Sequence, residues 1–162
     1  MTERPRIEAR RINERPHVLV VTDDSSLAEF LGEGLPLGGF WVSIIASGLQ
    51  ALEVFRLRQF DLVLIDMELQ SFRAEELIRR LRGQSNRVED ATPRTLAPIV
   101  IVTTEKSELS AIERQQLAIS DVMEAPIEID EIVRRLHSTF QHWRQDNPDT
   151  PLADASSASL AR

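Results

Sequence analysis

The chain reads as an α/β protein: a doubly wound, five-stranded parallel sheet with strand order 2-1-3-4-5. Three observations predict this. The runs Val18-Leu19-Val20-Val21, Leu62-Val63-Leu64-Ile65 and Ile99-Val100-Ile101-Val102 are apolar at every position, as strands buried on both faces are. Segments with helical spacing alternate with these runs. Short connections and right-handed crossovers then place helices on both faces of one sheet.

Residues 1–16 read as a flexible, arginine-rich extension or a short surface helix between Pro5 and Pro16, with arginines at 4, 6, 10, 11 and 15 set among Glu3, Glu8 and Glu14. Val18 to Val21 is the first strand. A helix follows from about Ser26 to Leu35. Ser26 and Glu29 form a capping-box pattern, and Leu27, Phe30 and Leu31 supply the apolar face. Gly38-Gly39 ends it, and Phe40 to Ile45 is the second strand. After Ser47-Gly48, the spacing of Leu49, Leu52 and Phe55 predicts a helix to about Arg58. Asp61 to Ile65 is the third strand, and Ala74 to Leu81 a helix buried through Leu77, Ile78 and Leu81.

The polar segment 82–97, with Gly83, Asn86 and Pro93, reads as a long loop, either a mobile insertion or a partner-binding element. Ile99 to Val102 is the fourth strand, Glu108 to Leu117 a helix, and Asp121 to Met123 a short fifth strand. Asp130 is placed to cap a final helix carrying Ile132, Val133, Leu136, Phe140 and Trp143. The folded domain then spans 17–144, and 145–162 reads as a disordered tail.

Composition narrows the function. The 162 residues carry a formal net charge of -7, which argues against general nucleic-acid binding. Cysteine is absent, which excludes disulfides, thiolate metal sites and cysteine nucleophiles. The apolar runs are too short for a membrane span and no secretory signal precedes them, so a cytoplasmic location is expected. Lys106 is the sole lysine, and the remaining basic charge is arginine.

Two of the apolar runs stop on acids: Thr22-Asp23-Asp24 follows Val18–Val21 of the first strand, and Asp66-Met67-Glu68 follows Leu62–Ile65 of the third strand. In the predicted order these strands are neighbours that lead in opposite directions. Asp23 and Asp66 would face each other across the crevice at that switch point. Clustered carboxylates invite a hard cation.

With these residues in place, the sequence from about Pro16 to Phe140 resembles a response-regulator receiver domain, of CheY-like, flavodoxin-like fold. The resemblance rests on Val18 to Asp24, Asp61 to Asp66, Pro98 to Thr103, the opening Gly48 to Glu53 of the second helix, and Ala125-Pro126. It implies that Asp66 is a phosphoacceptor, taking a phosphoryl group from a histidine kinase or phosphotransfer protein. It implies that Thr103 hydrogen-bonds that group, and that Mg²⁺ is held by Asp23, Asp66 and the backbone carbonyl of Glu68. Output would pass by protein contact through the face of helix four, strand five and helix five, with no nucleic acid or membrane as partner and room for a homodimer. Such a domain signals and is not an enzyme.

Against that pattern, Thr22 replaces a second acid, Ala125 replaces the phosphate-binding lysine and Val122 replaces the switch aromatic. Lys106 and Arg73 are the nearest candidate cations, and both are expected to be solvated. Two functions stay open. One is a stand-alone, atypical phosphoacceptor, since the tail is too short and polar to form an output domain. The other is a phosphorylation-independent pseudo-receiver that binds partners. A phosphohydrolase built on Asp66-x-Glu68 lacks the histidines or acids of a two-metal site. A nucleotide or flavin site lacks a glycine-rich phosphate cradle. His17, His137 and His142 are expected at the surface.

Overall fold

The computed structural model describes residues 15–104 and 110–153. The strands are β1 (His17–Val21), β2 (Trp41–Ile45), β3 (Leu62–Asp66), β4 (Ile99–Thr103) and β5 (Ile119–Glu124). The helices are α1 (Ser25–Leu37), α2 (Gly48–Val54), α3 (Ala74–Leu81), α4 (Ala111–Gln116) and α5 (Ile129–Asp146). The sheet is parallel throughout, in the order β2-β1-β3-β4-β5.

Because side chains alternate along a strand, each buried strand feeds two cores. Leu19, Val21, Val63, Ile65, Ile99 and Ile101 pack with Leu52 of α2 and with Leu77, Ile78 and Leu81 of α3. Val18, Val20, Leu62, Leu64, Val100 and Val102 face the other way. They meet Leu31 and Leu35 of α1 and Ile132, Leu136 and Phe140 of α5. The edge strand β2 is only partly buried, and Ile44 is exposed. Gly34 lets α1 approach α5 closely: a Cβ there would overlap the side chain of Ile129.

Several local features differ from the sequence reading. Asp24, not Ser26, caps α1, accepting from the backbone N–H groups of Ser26 and Leu27 at 2.9 and 3.2 Å. The cap lies two residues earlier than expected, and Phe30 faces outward, 41% exposed. Leu49 is likewise exposed, because α2 packs through Ala51 and Leu52. The last helix starts at Ile129, so Asp130 lies in its first turn and caps nothing. α4 begins at Ala111, and residues 105–109, where its predicted start falls, lie outside the described residues.

His17 is a further correction, since it is fully buried in β1. Its Nε2 pairs with Ser43 Oγ at 2.8 Å and its ring stands edge-on to Phe60, while Nδ1 has no partner among the described residues. Burial, with the charge of Arg58 adding to it, lowers its pKa from 6.5 to about 4. His137 is half-buried, stacked on Phe40 with Nε2 2.7 Å from the carbonyl of Gly38, whereas His142 is exposed.

The segment 82–97 contains a single 3-10 turn, Val88–Asp90, and is anchored by a buried ion triad. Asp90 is completely buried. It accepts from Arg80 Nε at 2.6 Å on one oxygen, and from Arg94 Nε and Nη2 at 3.0 and 2.8 Å on the other. Arg94 also donates to the carbonyl of Leu52, and buried Arg82 donates to the carbonyls of Thr95, Leu117 and Ala118. The positive φ of Gly83, +69°, turns the chain away from α3 into this segment. A Cβ there would meet the Thr92–Pro93 backbone at 2.6 Å. At the carboxyl end α5 runs through Asp146, and Leu152 packs on the α1/α5 core. The N–H of Ala153 donates to Asp61. Residues 1–14 and 154–162 lie outside the described residues.

Asp90→Ala leaves two buried guanidinium groups uncompensated. It should destabilise the fold by ~3–5 kcal/mol in denaturant unfolding, with Asp90→Asn less costly. Burial pushes the Asp90 carboxyl up, but the bonds from Arg80 and Arg94 outweigh it and hold it below the usual value. This contribution is therefore complete above the unfolded-state pKa and fades as pH falls through the folded-state value.

His17 acts over a different window. Below pH 6.5 the unfolded chain takes up a proton that the folded chain refuses until about pH 4. Stability should therefore drop by about 3 kcal/mol across that interval. His17→Val should remove that part of the pH slope, whatever it does to stability at neutral pH.

Candidate functional site

The site lies at the carboxyl ends of β1, β3 and β4. Parallel pairing sets it: Val21 lies beside Ile65, and Asp66 beside Val102. Residues just past each strand therefore arrive at one level. Asp23, Asp66, Glu68, Thr103, Thr104 and Ala125 line a single open pocket of about 540 Å³. The residues chosen from sequence, Asp23, Asp66, Glu68 and Thr103, thus share one cavity.

Asp66 is only 5% exposed, fixed by the strand that bears it. Both its oxygens are engaged. Oδ2 accepts from Thr22 Oγ1 at 2.7 Å, and Oδ1 accepts from the backbone N–H of Glu68 at 2.9 Å. Burial pushes this carboxyl above its ordinary pKa against both hydrogen bonds, and the adjacent Glu68 charge adds to the rise. Thr22 is itself buried, and its Oγ1 also accepts from the N–H of Asp24. It is a structural bridge between β1 and β3, where an acid would have added a second negative charge.

Asp23 turns toward the loop after β3. Its Oδ2 accepts from the backbone N–H groups of Gln70 and Ser71 at 2.9 and 3.0 Å. The Ser71 bond, helped by that of Gln70, holds the carboxyl below its usual range.

The Glu68 side chain has a role that sequence reasoning missed. Its Oε1 accepts from Thr103 Oγ1 at 3.0 Å and from both the backbone N–H and Oγ1 of Thr104 at 2.7 Å. Burial raises the Glu68 carboxyl, but these bonds outweigh it and hold it below its ordinary value. The signal available in the sequence was the register. Two residues past Asp66 and two past its neighbour Val102 give Glu68 and Thr104, side by side.

These contacts bear on the expected Mg²⁺. The donors are oxygens, the right kind for a hard cation. However, one Asp23 oxygen is taken by two amides, and both Asp66 oxygens are hydrogen-bonded. The Glu68 carbonyl accepts from Gln70 Nε2 at 3.0 Å. Among the described residues no three acidic or histidine side chains converge on one point. In this arrangement the residues do not fit a ready-made Mg²⁺ site.

Cationic help is also missing from the described lining of the pocket, which contains no lysine or arginine. Ala125 is pinned by its N–H to the carbonyl of Thr103 at 2.7 Å and presents only a methyl group. Arg73 is exposed, with Glu75 as its neighbour at 3.9 Å. Glu124 is exposed. Lys106, the other candidate, lies outside the described residues.

Comparison with known proteins agrees with this architecture. Residues 18–137 match the response regulator receiver domain. Sensory transduction protein RegX3 of Mycolicibacterium smegmatis is 27% identical over 137 residues, covering 85% of this chain and 55% of that protein. DNA-binding response regulator MtrA of Mycolicibacterium paratuberculosis is 30% identical over 141 residues, covering 87% and 58%. The chain thus spans a little over half the length of these relatives. A solved sensor protein from Polaromonas superposes with a TM-score of 0.64 at 30% identity, over 79% of this chain and 98% of that one. On the strength of its sequence match and its sheet order, the chain belongs to the response regulator receiver domain family.

Proposed function

We propose that this receiver acts as a protein-interaction module whose output does not wait on a phosphoryl group at Asp66. Receiver domains serve two-component signalling with histidine kinases or phosphotransfer proteins, and they generally bind Mg²⁺ at the acidic phosphorylation site. The observation that carries the proposal is the closed hydrogen bonding of Asp66, in a pocket that Ala125 also lines and whose described lining holds no cation.

A carboxylate attacking phosphorus must overcome repulsion between anions, and catalysis of that step is chiefly charge stabilisation. A charge-assisted hydrogen bond from a lysine would contribute about 1.5–3 kcal/mol, which a methyl group cannot. Val122 packs against the α2/α3 core and offers no ring to swing between inside and outside. The face of α4, β5 and α5 is the proposed output surface. There Arg135 grips Asp121 with two bonds, at 2.6 and 2.8 Å, and ties β5 to α5. No helix among the described residues is long and apolar enough to cross a membrane.

A second reading is favoured by one observation: Asp23, Asp66 and Thr103 line the same pocket. In it Asp66 is a slow phosphoacceptor, Thr103 a donor to the phosphoryl oxygens, and Mg²⁺ binds once Asp23 and the Glu68 carbonyl are released.

Intact mass measurement after incubation with Mg²⁺ and acetyl phosphate separates the two. The expected result is an unlabelled wild-type chain. A label on wild type that Asp66→Asn abolishes would establish the second reading instead.

The donor set is tested separately. Millimolar Mg²⁺ should leave the wild-type unfolding temperature unchanged. Thr22→Asp should lower it in the absence of metal, by placing like charge beside Asp66, and Mg²⁺ should then raise it.

A further inference from the structure

We infer that the end of β4 is an anion receptor already filled from within, with the Glu68 carboxylate as its ligand. Three donors converge on one oxygen: Thr103 Oγ1 at 3.0 Å, Thr104 N at 2.7 Å and Thr104 Oγ1 at 2.7 Å. A backbone N–H and two hydroxyls aimed at a single point suit a carboxylate or a tetrahedral oxyanion such as a phosphoryl group, and bonds of this kind are charge-assisted. The receptor arises from the fold. Thr103 is the last residue of β4 and Thr104 follows it. Register places Glu68 opposite, two residues beyond the strand that carries Asp66.

The internal ligand is replaceable in principle. Thr104 is exposed, Glu68 is half-buried, and both border the open pocket. A ligand tethered by so short a stretch of chain competes at an effective concentration of roughly millimolar or more. Free phosphate in the micromolar range therefore does not displace it. Glu68 acts through Thr103 and Thr104 as a positioning residue. It holds these donors where an incoming anion would hold them. This rests on the proposal that Asp66 stays unmodified only for its purpose, because the contact itself can be tested without a phosphodonor.

The test follows the Thr103 and Thr104 backbone amides by nitrogen-15 NMR while inorganic phosphate is added, without metal, to the full chain. In wild type these signals should stay fixed through the micromolar range of phosphate. In Glu68→Ala the Thr104 signal should move from its wild-type position, and both amides should then shift saturably with phosphate. Adding Thr103→Ala to that variant should weaken the phosphate response about tenfold, as loss of one hydrogen bond to an anion implies. Glu68→Gln, which keeps the shape and removes the charge, should respond between the two, and it carries the comparison if Glu68→Ala does not fold. Equal responses in wild type and the Glu68 variants, or none in either variant, would overturn the inference. Phosphoryl transfer to wild-type Asp66 would remove the proposed function while leaving this comparison intact.

Discussion

A carboxylate at the end of a strand buried on both faces has to be answered by donors, and that constraint organises the carboxyl edge of this sheet. Asp66 is fixed by β3 and cannot swing into water. Thr22 from β1 and the N–H of Glu68 therefore close on it. Glu68 is in turn held by the last residue of β4 and the one after it. The three central strands are thus tied at their tips by one polar network, whose geometry follows from parallel pairing and the two-residue steps beyond it. The same closure satisfies the site without a cation.

The division of labour between core and edge explains what could be read from the chain. Strands covered on both faces leave unbroken apolar runs, so β1, β3 and β4 declared themselves, and the acids ending two of them marked the pocket. The features missed were those in which a polar residue is answered by a partner distant along the chain. His17 opens an apolar run and looks like a flanking residue. Its burial follows from pairing with β2, where Ser43 meets it, and from Phe60 beneath its ring. The carbonyl of Glu68 could be assigned by resemblance, but the destination of its side chain depended on a neighbouring strand.

The insertion before β4 teaches the same lesson. A polar stretch with glycine, asparagine and proline reads as loose because no apolar period is present. Yet Arg80 and Arg94, ten before and four after Asp90, close on that one carboxylate, and Arg82 gathers three carbonyls. The charge that made the segment look solvated is what ties it to α2, α3 and the turn before β5. Arginine suits this task, since its planar fork satisfies several acceptors at fixed angles where an ammonium group would not.

Asp61 holds the opposite rim of the sheet in a comparable way. One oxygen accepts from the N–H of His17, where the described chain enters the sheet, and the other from the N–H of Ala153, where it leaves. Entry and exit are thereby laced side by side to one carboxylate, on the rim remote from Asp66. The start of β1 and the last described residue therefore share that far rim. The acidic cleft, at the other end of the same strands, is left clear of both, open to whatever approaches from solution.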